Sequence, residues 1–137
     1  MKPCPHGQTM QNETTLSKKR TDMARKPLHE CHGGKGALDW TLIVGRDELH
    51  GRHLNFVHDD VLEPGVSIGR HLHHTDEEYY LVVEGHGTMT LDDRRIPVGP
   101  GDMTGVFPGG SHSLENTGTT NLRVLVISVR ASNEASL

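Results

Sequence analysis

The sequence predicts an all-β sandwich or barrel. From about residue 40 onward, short apolar runs alternate with turn signals at the spacing of consecutive strands. Sixteen glycines and seven prolines stand beside aromatics at only 4%, which suits many tight turns around a core of Val, Leu and Ile. No stretch keeps a helical apolar period over about eleven residues. The expected strands are residues 39–44, 52–57, 66–72, 78–84, 88–91, 95–98, 103–107, 111–115 and 122–129. Between them lie the turn signals Glu63-Pro64-Gly65, Glu84-Gly85-His86-Gly87, Asp92-Asp93, Gly99-Pro100-Gly101, Pro108-Gly109-Gly110 and Asn116-Thr117-Gly118.

The chain of 137 residues fits one domain. Its first 27 residues are a polar segment rich in Gln, Asn, Thr, Ser, Lys and Arg, expected to be a flexible tail ahead of a domain at residues 28–137. Met23 is a possible true start, and residues 1–22 are expected to be dispensable for stability. A net charge of −4 and an isoelectric point near 6.2 argue against a nucleic-acid partner, whose phosphates require a basic surface. No apolar run is long enough to cross a membrane as a helix. Met1-Lys2-Pro3-Cys4-Pro5-His6 leads into no apolar stretch, so a cytoplasmic location is expected. Cys4 and Cys31 are too few for a disulfide framework. Cys4-Pro5-His6 and Cys31-His32 lack the spacing of a metal set and read as incidental. The anomaly is histidine, with eleven against two Tyr and two Phe.

The chemistry concentrates in two segments. In residues 65–81, His71 and His73 sit two apart on a strand and so project from one face. Two imidazoles in that relation make a platform for a divalent transition metal. His74 faces the other way. A short turn through residues 75–77 leads into the next strand, where Glu78 can return a carboxylate to the same point. In the second segment, His112 follows the Pro108-Gly109-Gly110 turn, with Asn116 at the end of its strand. Three histidines and a glutamate fill four metal positions and leave one or two for water or substrate, a catalytic arrangement without the Cys ligands of structural zinc.

These residues resemble the cupin superfamily. Its first motif is Gly, five residues, His-x-His, three or four residues, Glu, six residues, Gly. Gly65, His71, His73, Glu78 and Gly85 satisfy every interval. In the second motif Gly101, His112 and Asn116 keep their overall spacing, while Pro108 and Gly110 each arrive one residue late, which puts only the turn geometry in question. The match covers roughly residues 40–130 and implies a double-stranded β-helix, the jelly-roll barrel. Finer features resemble small bacterial single-domain cupins related to oxalate decarboxylase or phosphomannose isomerase: Gly33-Gly34-Lys35-Gly36, Leu62-Glu63-Pro64-Gly65 and residues 113–118. The fold alone selects no reaction.

The resemblance implies one metal, manganese, iron, nickel or zinc, held by His71, His73, Glu78 and His112. A small carboxylate is the expected partner molecule. The expected activity is decarboxylase, lyase or isomerase chemistry, with a binding or sensor module and an iron-dependent dioxygenase as alternatives. Tyr80 lies two residues after Glu78, so alternation puts its phenol on the metal face as an acid/base group, while Tyr79 points outward. Met89 and Leu91 are expected to line the cavity. His86 reads as exposed, and His50, His53 and His58 as residues near the barrel mouth. Nothing fixes the direction of Arg46, Arg94 or Arg95. Residues 79–83 and 124–127 are apolar on both strand faces, which predicts a homodimer with strands or sheet faces buried between protomers.

Overall fold

A computed structural model of the chain describes residues 14–132. Ten strands form two antiparallel sheets that face one another as a jelly roll. In chain order they are β1 (Arg25–His29), β2 (Ala37–Val44), β3 (Leu54–Leu62), β4 (Ser67–Leu72), β5 (Asp76–Glu84), β6 (Gly87–Leu91), β7 (Arg94–Val98), β8 (Met103–Val106), β9 (Ser111–Glu115) and β10 (Leu122–Arg130). The larger sheet has the order β1-β2-β3-β10-β5-β8 and the smaller β4-β9-β6-β7. One four-residue helix, α1 (Arg46–Leu49), links β2 to β3.

Alternation fills the space between the sheets. On β5, Glu78, Tyr80 and Val82 are buried while Tyr79, Leu81 and Val83 are more exposed. On β10 the buried set is Leu122, Val124, Val126 and Ser128. Ile68, Met89 and Leu114 answer them from the smaller sheet, each nearly free of solvent. A period of two on each strand puts every second residue on the core face.

Two sequence expectations change. β3 was expected at residues 52–57, but it runs to Leu62, because His58, Asp59 and Asp60 interrupt the apolar pattern without interrupting the ladder. The expected boundary at residue 27 falls inside β1, which pairs with β2 from Arg25↔Thr41 to His29↔Ala37. β1 is an edge strand, where Pro27 costs the ladder little. Upstream of it, Lys18 Nζ stands 2.8 Å from Glu48 Oε1, and the Arg20 guanidinium donates to Asp59 Oδ2 at 2.9 Å. Asp59 is 1% exposed and also receives Arg123, at 2.8 Å. Residues 14–27 therefore make specific ion pairs and strand pairing that apolar content alone does not reveal. Residues 1–13, with Cys4 and His6, lie outside the described residues.

A β-bulge on β4 positions the site. Ile68 pairs with Leu114 and His71 with His112, so three steps on β4 match two on β9. The extra residue reverses the alternation. Ile68 faces the core before the bulge and His71 after it, with Arg70 and Leu72 exposed. In a regular strand that buried Ile68, His71 would face outward.

Candidate metal centre

His71, His73 and His112 come from β4, the segment just after it and β9 on the smaller sheet. Glu78 comes from β5 on the larger one. The set therefore bridges the two sheets. One ligand atom from each residue lies within 4.8 Å of all the others. His112 Nε2 is 3.0 Å from both His71 Nε2 and His73 Nε2, and 3.1 Å from Glu78 Oε1. Glu78 Oε1 is 3.5 Å from His73 Nε2 and 3.7 Å from His71 Nε2. Donors about 2.1 Å from a shared ion stand about 3.0 Å apart in octahedral geometry and about 3.4 Å apart in tetrahedral geometry. The spacing fits a transition metal.

The outer partners agree with that use. His71 Nδ1–H donates to the Gly69 carbonyl at 2.8 Å, which leaves Nε2 bare in the neutral ring. His73 Nδ1–H donates to Asp76 Oδ1 at 2.8 Å, and Ser128 Oγ donates to the other Asp76 oxygen at 2.6 Å. Such second partners fix ring orientation and tautomer. His112 Nδ1 is buried without a partner. The His73 backbone is clamped to the Gly-rich turn, its N–H donating to Gly110 O at 3.0 Å and its carbonyl accepting from Gly109 N–H at 2.8 Å. The late Pro108 and Gly110 thus still form a turn that orients His73. Asn116 is structural: its amide donates to Leu62 O and Thr120 O, each at 2.8 Å.

Burial favours a protonated Glu78. Hydrogen bonding from His112 and then His71 outweighs it and holds the carboxyl down at about 2. The carboxylate is ionised inside the barrel because donors surround it. Burial lowers His112, with repulsion from His71 and His73 added and Glu78 opposing.

Tyr80 is 4% exposed, and its ring centroid lies 4.7 Å from that of His112. Burial first, then the charges of Glu78 and Asp60, raises its phenol well above the usual value, so Tyr80 keeps its proton. Tyr79 lies on the other face, donating to Glu77 Oε2 at 2.6 Å. Met89 is buried and Leu91 partly so. His74, His86, Arg46, Arg94 and Arg95 are exposed, and His53 Nδ1 accepts from Arg130 at 3.3 Å. His50 Nε2 is buried without a partner.

Sequence reasoning missed four residues. Asp76 supports His73, and its spacing three residues on is the signal that was available. His32, read as incidental, stacks on His71. Cys31 is partly buried against the core, its thiol pushed up to about 11 by burial and by the charges of Asp60 and Glu78. Asp60 is 4% exposed with Oδ1 unpartnered, and burial, then Asp59, Glu78 and Asp39, push it up to about 8. The alternation Phe56, His58, Asp60, Leu62 could have signalled that Asp60 faces in. His58 lies between Phe56 and Trp40, with ring centroids at 4.1 and 5.1 Å, and burial holds it neutral down to about 4.

Comparison with known proteins adds the family. Residues 59–128 match the Cupin domain. The chain is a cupin. An oxalate-binding protein of Thermotoga maritima is 28% identical over 118 residues, covering 86% of this chain and 97% of that protein. The crystal structure of a predicted oxalate decarboxylase from the same organism superposes with a TM-score of 0.79 at 26% identity, covering 85% of this cupin and all of that chain. A polyketide cyclase of Streptomyces resistomycificus shares the fold, with a TM-score of 0.68 at 23% identity over 85% of this chain and 80% of its own.

Asp60 gives the cupin a pH signature. Between its ordinary value of 3.8 and about 8, Asp60 is protonated when folded and ionised when unfolded. The folded state then binds the extra proton, so stability falls as pH rises through that window. Asp60→Asn removes the effect. Relative to that variant, the wild type should lose up to about 1.4 kcal/mol per pH unit, read from urea unfolding at several pH values. Parallel curves would show that Asp60 ionises normally.

Proposed function

We propose that this cupin binds one divalent transition metal through His71, His73, Glu78 and His112 and uses it to act on a small carboxylate. The decarboxylase, lyase or isomerase type is favoured. The observation that carries this reading is the convergence of three imidazole Nε2 atoms and one carboxylate oxygen at metal-donor spacing. Manganese, iron, nickel and zinc all suit this nitrogen and oxygen set. Bound there, the metal supplies Lewis acidity and a template for an anionic oxygen. The oxalate-binding name of the Thermotoga protein supports a small carboxylate as ligand. It equally favours the second reading, a metal-containing binding or sensor cupin without turnover.

In the enzyme reading Tyr80 is the catalytic residue. Its phenol keeps its proton and its ring lies against His112, which supports a role as donor to an oxygen of the bound anion. The outer face of the larger sheet supports a homodimer: Tyr79, Leu81, Val83, Leu125 and Ile127 share it, beside Met103 at 59% and Phe107 at 57% exposure. The described residues contain no helix long and apolar enough to cross a membrane.

Replacing His73 and His112 together with Ala should abolish stoichiometric metal by elemental analysis, and Asp76→Ala should weaken zinc roughly 10- to 100-fold. Full metal in the double variant would end the assignment.

Turnover is tested with manganese- or iron-loaded protein on small acids, oxalate first, in decarboxylation, lyase and oxygenase assays. Tyr80→Phe should retain metal and lose roughly 10²–10⁴ in rate, while Tyr79→Phe changes little. Equal activity in both variants would remove Tyr80 from the mechanism. Saturable protection from thermal unfolding by oxalate, with no turnover on any metal, would favour the binding protein.

Light scattering at micromolar concentration should give twice the chain mass of 15.1 kDa. A monomer mass would contradict the dimer.

A further inference from the structure

His32 lies outside the residues that match the Cupin domain, yet its imidazole lies flat on that of His71. The ring centroids are 3.7 Å apart and the planes 12° from parallel. The loop that carries it is held closely against β4. Lys35 N–H donates to Ser67 Oγ at 2.8 Å, and Ser67 N–H donates to Lys35 O at 3.0 Å. A Cβ at Gly69 would overlap the His32 carbonyl oxygen, and a Cβ at Gly34 would overlap the Ser67 carbonyl. The two glycines let the backbones meet.

The loop also holds an uncommon conformation. Glu30 and His32 have φ of 48° and 52°, left-handed values that residues with side chains seldom adopt and that persist only where surrounding contacts demand them. Hydrogen bonds from Gly33 N–H to Glu30 O and from Gly34 N–H to Cys31 O, both 2.9 Å, close the turn. Its contact point, Gly69, lies in the β4 bulge and is the residue whose carbonyl accepts the His71 Nδ1–H. Bulge, loop and ligand orientation thus form one connected arrangement.

The geometry points to His32 as a positioning residue of the metal centre, which holds the ring plane of His71 by stacking. The Gly69 carbonyl fixes which His71 nitrogen is bare. The His32 face fixes where that nitrogen aims. Neither nitrogen of His32 belongs to the converging donor set, so a flat ring without nitrogens should serve as well. This inference rests on the metal reading above, but the ordering of the His71 ring can be measured without metal.

The test compares wild type, His32→Ala and His32→Phe, with His74→Ala as an exposed control. In metal-free protein, ring-proton NOEs and NMR relaxation should show one ordered His71 ring orientation in the wild type and His32→Phe, and a mobile His71 ring in His32→Ala. In zinc titrations against a competing chelator, His32→Ala should bind roughly three- to tenfold more weakly, the worth of an aromatic pair. His32→Phe and His74→Ala should match the wild type. His32→Ala with unchanged His71 signals would overturn the inference, whatever its zinc affinity. So would His32→Phe as weak as His32→Ala, since a nitrogen rather than a stacked face would then be at work. A wild type that binds no zinc would sink the metal reading, and the His71 signals would still decide the stacking claim.

Discussion

A carboxylate held ionised between two β-sheets must be surrounded by groups that donate to it or carry positive charge, and Glu78 sets this requirement here. Its side chain is mostly buried on the core face of β5. Three imidazoles from the opposite sheet meet that demand, with His112 nearest at 3.1 Å. The consequence reaches both sheets, because the larger one supplies the anion and the smaller one the rings. Bringing the sheets together and assembling the donor set are one event.

The bulge on β4 makes the two ends of the barrel compatible. Val66 and Ile68 belong to the apolar core, whereas His71 and His73 belong to the polar end of the same interior. A regular strand cannot turn both Ile68 and His71 inward, since they are three residues apart. One extra residue solves this, and Gly69 within it admits the loop from residues 31–34. Irregularity is concentrated beside the candidate metal centre.

The barrel interior also holds titratable side chains beyond the four donors. Asp60, Tyr80, His58 and Cys31 line or adjoin it, and burial keeps each in its uncharged form near neutral pH. Glu78 is thus an ionised group among neighbours that have kept or shed protons to stay neutral. Membership of the cupin family does not specify the chemistry done there. The side chains around the donors do, which is why cupins with different names share this fold.

Local pattern made the fold class and the four donors legible. Strand alternation and turn residues are short-range properties, so most strands fell within a residue or two of their places, and His71, His73, Glu78 and His112 were named from spacing and motif. Pairing across the chain was not legible. β1 contains Pro27 and a polar surface, and only its partner β2 makes it a strand. The full length of β3 is set by its ladders with β2 and β10, and its buried Asp59 finds Arg20 and Arg123 at separations of 39 and 64 residues. His32 looked incidental because its role requires the bulge at Gly69 to bring β4 beneath the loop. The sequence by itself determined an all-β cupin with a His₃Glu set, because periodicity and motif spacing are written along the chain. The tertiary structure decided which face each histidine took, which ring covered His71 and which acids stayed protonated, because burial and charge are set by neighbours distant in sequence.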